Sequence, residues 1–441
     1  MIAGGLAVAV IGLVIGGAFG LRGGSLPGRG PTAPPSADPS SPPDTTVIDP
    51  EDPALAAMFD RLRTEVSAVR GLPWKSEVPI RLVSRDELAQ EIRALTEKDL
   101  RENAEELEFA ALSLKLLGLV PDDLDYDEAL ANLVAGGALG YYDDEAGEMV
   151  VASGTGPLDV FARSTLAHEL THALTDQYFD FSARVEALDE AEADEAVLAL
   201  VALVEGDAEV TRKAWEERHL SADERRSLAR GDPEFDPSAL AAAPPYMTNS
   251  LLFPYRFGVS FVERLIEVDG FASVDAAYRQ PPTTSSEIIN PSRYGFVSEI
   301  ASPPIQPAAP GCRQLDEGNL GEFDTGEILS QHLRPAVARA AAQGWTADRF
   351  VLLRCGTRDA FVAHWVMADA DEAAELAAAL QRWGPQWSGV PAGGAIGGPF
   401  GGPVGSGRVL SGGSEVQLFL ADDGPTADLV TRMQAPGVSA P

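Results

Sequence analysis

The sequence predicts an α+β fold, with a mainly helical domain at residues 54–300 and a small α+β module at residues 312–441. Three patterns indicate this class. Residues 158–178 and 188–218 repeat apolar side chains at helical spacing. Residues 137–153 have the pattern of a β-hairpin, and beyond residue 311 the chain changes to a strand–strand–helix order. With 441 residues, 45% of them hydrophobic, the chain can bury more than one core.

An uninterrupted apolar stretch runs from Ile2 to Leu21. Twenty residues of helix span about 30 Å, which is enough to cross a bilayer. The sequence therefore predicts a transmembrane anchor at residues 1–22, followed by a Pro/Ser-rich linker at residues 23–53. A secretory signal is the alternative, although no basic segment precedes the apolar stretch.

Two kinds of signal disagree about the side of the membrane on which the domain lies. Arg22 and Arg29 follow the apolar stretch, which by the positive-inside rule favours the cytoplasm. The linker is typical of an extracytoplasmic stalk, and the two cysteines, Cys312 and Cys355, are able to form a disulfide. We expect a single-pass cell-membrane protein with an extracytoplasmic catalytic domain; a secreted protein is the alternative.

The segment before the hairpin is predicted to be helical with one strand. Ala54 to Val69 has helical periodicity, Val78 to Ser84 has the pattern of a strand, and Asp86 to Leu117 is predicted as a charged helix. The hairpin itself is predicted to turn at Asp143–Gly147.

The helix at residues 158–178 carries the motif His168-Glu169-Leu-Thr-His172. Positions four apart lie on one face of a helix, so both imidazoles can bind one metal ion. Glu169 is rotated by about 100° from His168, which places its carboxylate beside the metal as a general base. This pattern is typical of zinc hydrolases, and it predicts Zn²⁺ as the cofactor. The alternative is a surface helix that carries these residues without a metal.

A catalytic zinc ion takes a third protein ligand, for which Glu205 is the candidate. It directly follows the apolar run Ala196–Val204, where a buried carboxylate needs a neutralising charge. Glu209 lies one turn later on the same face and can accept the free N–H of a ligand histidine, in the second shell of the metal. The alternative is that residues 205–209 are only the solvated tail of the apolar run.

The HExxH motif together with Glu205-Gly-Asp-Ala-Glu209 resembles the gluzincin metallopeptidases, in which a glutamate on a second helix completes the zinc site. The metzincin continuation is absent, because Thr175 and Tyr178 occupy the positions of its glycine and third histidine. Residues 60–300 look more specifically like a group of bacterial membrane-attached metallopeptidases. The matching segments are Gly140–Gly147, His168–Gln177, Leu203–Ala208 and Pro282–Glu287.

This resemblance implies a zincin-like fold with a small β-sheet wall, and hydrolysis of a peptide or protein substrate. It also implies a donor for the oxyanion that forms when water attacks the carbonyl. Tyr255 and Arg256 are the candidates, with Tyr246 behind them; a structural role is the alternative for each. They lie between a predicted loop at residues 233–245 and an apolar helix at residues 259–268.

The Pro-rich residues 301–311 indicate a boundary. Beyond it, the predicted elements are two paired strands at 349–354 and 360–367, a helix at 371–383, two further strands at 408–410 and 415–420, and a helix at 426–433. Residues 391–407 are predicted to be a flexible Gly-rich insertion. His332 and His364 have no ligand-like neighbours in sequence, and we expect both to be structural.

The formal net charge of −34 argues against nucleic acid as a partner. We therefore expect a zinc-dependent peptide-bond hydrolase attached to the membrane through its N-terminal segment. Two alternatives remain. One is a catalytically silent cell-envelope binding module that keeps the fold, and the other is a zinc hydrolase that acts on a non-peptide amide or ester.

Overall fold

The computed structural model describes residues 53–137, 140–143, 148–152, 158–231, 238–295, 302–306, 311–390 and 398–434. The predicted anchor and nearly all of the linker lie outside these ranges, as does most of the hairpin turn. Within the ranges, none of the helices combines the length and apolar character that a bilayer crossing requires. The α+β class is confirmed, because helices surround two separate sheets.

The part of the chain before residue 300 is mainly helical. Its helices are α1 (Pro53–Arg70), α2 (Arg85–Glu102), α3 (Ala104–Leu116), α4 (Tyr126–Gly137), α5 (Val160–Phe179), α6 (Phe181–Glu190), α7 (Asp194–His219), α8 (Ala222–Leu228), α9 (Ser238–Ala242), α10 (Pro245–Phe253), α11 (Val259–Asp269), α12 (Phe271–Arg279) and α13 (Ser285–Ile289). A π-turn, Pro254–Gly258, joins α10 to α11, and a short 3-10 turn, Pro291–Arg293, follows α13. The strands β1 (Ile80–Val83), β2 (Gly140–Asp143) and β3 (Glu148–Ala152) form one sheet in the order β1-β3-β2.

Three predicted elements of this region differ in the structure. The single helix predicted from Asp86 to Leu117 is broken at Asn103, whose φ of −110° and ψ of 25° are not helical. Its backbone N–H and its side-chain amide both donate to the Asp99 carbonyl, at 3.0 and 3.1 Å, at the end of α2. The predicted loop at residues 233–245 contains α9. The helix predicted at residues 188–218 begins at Asp194, and Phe181–Glu190 before it forms the separate helix α6.

The part beyond residue 311 forms a second sheet covered by helices. Its elements are β4 (Cys312–Gly318), α14 (Gly321–Ser330), α15 (Pro335–Ala342), β5 (Trp345–Cys355), β6 (Arg358–Met367), α16 (Ala370–Trp387), β7 (Phe400–Gly401), β8 (Ser406–Gly412), β9 (Glu415–Ala421) and α17 (Gly424–Gln434). The six strands are antiparallel, in the order β4-β5-β6-β9-β8-β7.

The predicted pairing of the two central strands is confirmed, with register from Trp345 opposite Met367 to Cys355 opposite Arg358. The structure also joins Cys312 to Cys355 by a disulfide between the paired strands β4 and β5. Within the predicted flexible insertion at residues 391–407, β7 pairs with the start of β8. That insertion is therefore partly a β-hairpin.

The buried apolar side chains form two main clusters. One surrounds α1, α5, α7 and α11. The other joins α2, α3 and α4 to the second sheet and to α16. Trp387 at the end of α16 shows this contact directly, because its Nε1 donates to the Leu116 carbonyl at 2.9 Å. Helices α2, α3 and α4 therefore share a core with the C-terminal sheet, whereas α1 does not.

Glu195, at the start of α7, lies where α7, α13 and α14 meet. Its carboxylate accepts from both the backbone N–H and the hydroxyl of Ser285, each at 2.8 Å. Gly321 at the start of α14 has a φ of +69°, and a Cβ there would lie 2.2 Å from Glu195 Oε1. Burial raises the pKa of Glu195 to about 8, and Asp348 and Asp324 contribute, although the Ser285 bonds lower it.

A raised carboxyl pKa makes stability depend on pH. Between the ordinary Glu value near 4.3 and about 8, the folded protein keeps this proton while the unfolded chain has lost it, so stability falls as pH rises through this window. We expect Glu195→Gln to remove this contribution to the decrease of the unfolding free energy with rising pH. Relative to the parent, the variant should gain at least about 1 kcal/mol of unfolding free energy from pH 5 to pH 8, the equivalent of roughly one pKa unit.

Urea denaturation at several pH values measures this effect. The control is Glu217→Gln, an exposed glutamate on the same helix, which should leave the slope as it is. Parallel parent and Glu195→Gln curves would contradict the assignment of the proton to Glu195.

Candidate metal centre

Helix α5 begins and ends at clear local signals. The Asp159 carboxylate accepts from the Ala162 N–H at 2.8 Å and caps the first turn. Asp180 adopts a left-handed conformation, with φ of 51°, and ends the helix. Between these caps, the stretch from Ser164 to Thr175 is buried without interruption. The HExxH motif therefore lies on an interior helix, and the surface-helix alternative is excluded.

Helix α7 supplies the opposing face. It packs against α5 on one side and against the π-turn on the other. A Cβ at Gly206 would lie 2.3 Å from the Gly258 carbonyl oxygen, and one at Gly258 would lie 2.0 Å from the Ala202 carbonyl oxygen. Glycine at both positions thus lets the π-turn come close to α7, next to Glu205.

The side chains of His168, His172 and Glu205 converge between the two helices. The two histidine Nε2 atoms are 2.9 Å apart. Glu205 Oε2 lies 3.1 Å from Nε2 of His168 and 3.5 Å from Nε2 of His172. Ligands about 2.0–2.1 Å from a tetrahedral zinc ion lie roughly 3.3 Å from one another. The spacing therefore fits one metal ion.

The electrostatics of this metal-binding group also fit a cation. All three residues are fully buried, and Glu205 Oε1 has no hydrogen-bond partner among the described residues. Burial lowers the pKa of His168, but Glu205 and Glu209 outweigh burial and raise the pKa to about 10. Burial raises the pKa of Glu205, and His172 and His168 outweigh this and lower it. The carboxylates of Glu205 and Glu209 therefore favour a positive charge beside His168.

Glu209 and Arg212 support this group from the next turns of α7. Glu209 Oε1 lies 3.5 Å from His168 Nδ1. Arg212 donates two hydrogen bonds to the Glu209 carboxylate, from Nη2 at 2.6 Å and from Nε at 3.2 Å. Its Nη1 donates to Ser164 Oγ on α5 at 2.9 Å. Burial raises the pKa of Glu209, but Arg212 and His168 lower it well below its usual range. Glu209 therefore stays a carboxylate that can orient His168.

The structure brings Tyr255 to the metal-binding group but not Arg256. The Tyr255 ring stacks on His168 with centroids 6.4 Å apart. Burial, followed by the charges of Glu205, Glu169 and Glu209, raises the pKa of Tyr255 well above its usual value, so its hydroxyl remains a donor. Arg256 is exposed and lines a separate cavity. Tyr246 lies elsewhere too, and its hydroxyl donates to Asp324 at 3.0 Å.

Residues 205–209 are buried rather than a solvated tail. Among them the structure adds Asp207, for which sequence reasoning assigned no role. Both oxygens of its carboxylate lie 2.9 Å from Nε of Arg70 on α1, and the two side chains are fully buried. Its position between Glu205 and Glu209 is consistent with burial, but no residue near it in the sequence indicates Arg70 as its partner.

His332 and His364, for which we predicted structural roles, lie outside the metal-binding group. His364 contacts Glu415 at 3.1 Å.

Fold and site together define an α+β protein with a buried His₂Glu group that is able to bind a metal ion. Residues 311–431 match a family described as a domain of unknown function, DUF8575. That match covers the C-terminal sheet and its helices and none of the metal-binding group.

No curated protein matches the chain. A solved structure from Chloroflexus aurantiacus, titled a "putative hydrolase with a novel fold", is similar at 19% identity and a TM-score of 0.36. The match covers 54% of this chain and 87% of that one. A likeness of this degree indicates neither the fold nor the activity of this chain.

Proposed function

We propose that this chain is a zinc-dependent hydrolase that cleaves peptide bonds. The observation that carries the proposal is the convergence of His168, His172 and Glu205 on one buried point, with Glu169 on the same helix turn. Two imidazole nitrogens and one carboxylate oxygen are a donor set of catalytic zinc sites. A bound zinc ion supplies Lewis acidity and lowers the pKa of water towards neutrality.

The chain's own residues then have distinct roles. Glu169 takes the proton of the attacking water and passes it to the leaving amine. Tyr255 donates its hydroxyl to the oxyanion that develops on the substrate carbonyl. The same hydroxyl interacts with Glu205, which places it beside the metal-binding group. Glu209, paired with Arg212, lies 3.5 Å from Nδ1 of His168 and is placed to accept its N–H and so to orient the ring.

The location of the protein outside the cytoplasm is part of the same proposal. The Cys312–Cys355 disulfide supports it, because such bonds persist in oxidising compartments. Attachment through residues 1–22 rests on the apolar sequence alone. A peptide or protein substrate is inferred from the gluzincin resemblance, and nucleic acid is disfavoured by the charge of −34.

One observation favours a second candidate, a metal-stabilised binding module without catalysis. The side chains of His168, Glu169, His172 and Glu205 are all fully buried. Structural zinc sites are closed in this way, whereas catalytic sites keep a position open for water. A panel of denatured proteins, cell-wall peptides and esters separates the two candidates and also tests the non-peptide alternative.

The metal itself is tested by elemental mass spectrometry on the full chain after refilling with zinc at neutral pH. We expect one zinc per chain in the parent and at least tenfold weaker binding in Glu205→Ala, because a ligand is lost. Glu217→Ala, on the exposed face of the same helix, is the control and should bind as the parent does. A parent without zinc would exclude the enzyme, and undiminished zinc in Glu205→Ala would require another third ligand.

A further inference from the structure

A cavity of about 270 Å³ lies between the π-turn and the helices α10, α13, α14 and α15. None of its lining residues belongs to the metal-binding group. Arg256 and Arg339 line it, together with the rings of Phe257 and Phe323. Pockets for drug-sized ligands span about 300–1,000 Å³. This one is slightly smaller and suits a small molecule.

Arg256 and Arg339 are both exposed, and both line the cavity. Neither forms an ion pair with any residue that the structure describes. A guanidinium group presents donors in a planar fork that matches a carboxylate. Two such groups at one cavity favour an anionic ligand.

The carboxylates of the cavity wall do not cancel this charge. Glu322 accepts from Ser286 Oγ at 2.7 Å and pairs with Arg293 at 3.2 Å, so its charge is already balanced. Glu327 accepts from the amide of Asn249 at 2.8 Å, a neutral partner. One carboxylate therefore faces two guanidinium groups, and the wall keeps a net positive charge.

The charges of Arg256 and Arg339 both affect the carboxylate of Glu327. Burial raises the pKa of Glu327, while Asn249 and the charges of Arg256 and Arg339 lower it. Both guanidinium groups are therefore within electrostatic reach of one carboxylate. The two phenylalanine rings with Ile289, Pro335 and Ala342 form an apolar wall of the same cavity.

We propose that this cavity binds a small carboxylate that carries an apolar side chain. The carboxylate lies between Arg256 and Arg339, and the apolar part packs against Phe257 and Phe323. A neutral analogue leaves the guanidinium groups without an anion, and a carboxylate without the apolar part leaves the phenylalanine wall uncovered. The inference does not depend on a metal at the HExxH helix.

Equilibrium dialysis of the full chain with N-acetyl-L-leucine as the probe tests this site. We expect saturable binding at one site per chain, and no measurable binding of its neutral analogue N-acetyl-L-leucinamide. Arg256→Gln and Arg339→Gln should each weaken binding at least tenfold, because charge-assisted hydrogen bonds to the carboxylate are lost. Arg264→Gln is the matched control: Arg264 is an exposed arginine on α11 that pairs with Glu267 outside the cavity, and this variant should bind as the parent does.

The following results would overturn the proposal. They are no saturable binding of N-acetyl-L-leucine, undiminished binding in the Arg256→Gln/Arg339→Gln double variant, and equal affinity for N-acetyl-L-leucinamide. Equal affinity for inorganic phosphate would also overturn it, since the apolar wall would then contribute nothing. Thermal melting of each variant checks that it is folded, and both arginines are exposed, so their substitution leaves the core unchanged.

Discussion

Substituting Glu169 by Gln should abolish peptide hydrolysis while leaving zinc bound. Gln keeps the size of the side chain but cannot accept the proton of the attacking water. Positioned general bases contribute about 10²–10⁴-fold to rate. We expect the turnover of a fluorescein-labelled denatured protein to fall by at least about a thousandfold, with one zinc per chain still present.

The matched control is Glu186→Gln on α6, an exposed glutamate outside the metal-binding group. It should retain both turnover and zinc. If Glu169→Gln and the parent hydrolyse the labelled protein at the same rate, the general base is another group. If neither shows turnover although both hold zinc, the metal-stabilised binding module is the correct function.

The metal ligands could be predicted because their arrangement is mostly local. His168 and His172 lie four residues apart, and helix geometry alone places both side chains on one face. Glu205 is 37 residues from His168, but a carboxylate at the end of a long apolar run already indicates a buried charge that needs a partner. Both inferences use only spacing and burial within single helices.

The roles of Tyr255 and Arg256 could not be separated in the same way. The two neighbours belong to the π-turn, where Pro254 lacks the N–H that an α-helix would use. The close approach of Gly258 to α7 then decides which side chain faces the metal-binding group. This contact joins segments about 50 residues apart, so it cannot be predicted from the periodicity of the sequence.

The burial of the acidic residues of α14 could not be predicted from the sequence either. Its first residues, Gly321-Glu-Phe-Asp, are acidic enough to suggest a solvated turn, yet Glu322 and Asp324 are buried. Their partners are Ser286 and Tyr246, which lie 36 and 78 residues earlier in the chain. Burial raises the pKa of each carboxyl to about 7. Only the tertiary structure supplies the donors that make this burial possible.

The ion pair between Arg70 and Asp207 joins α1 to the middle of α7, two residues beyond Glu205. Both side chains are fully buried, and Arg70 Nη2 also donates to Asp275 on α12 at 2.7 Å. Phe271 covers the guanidinium at 4.7 Å. Removing one partner of a buried pair leaves an uncompensated charge, at a cost of about 3–5 kcal/mol. Replacing both partners by apolar residues is often close to neutral.

We therefore expect Arg70→Met to lower the free energy of unfolding by about 3–5 kcal/mol, and the Arg70→Met/Asp207→Leu double variant to recover most of that loss. Urea denaturation of the zinc-free protein measures it without a contribution from metal binding. Arg264→Met, which breaks an exposed pair, should change stability by less than about 1 kcal/mol. A loss in Arg70→Met no larger than in this control would mean that water reaches Asp207. A double variant as unstable as the single one would show that Asp275 and the packing of Arg70, rather than the unpaired charge of Asp207, determine the loss.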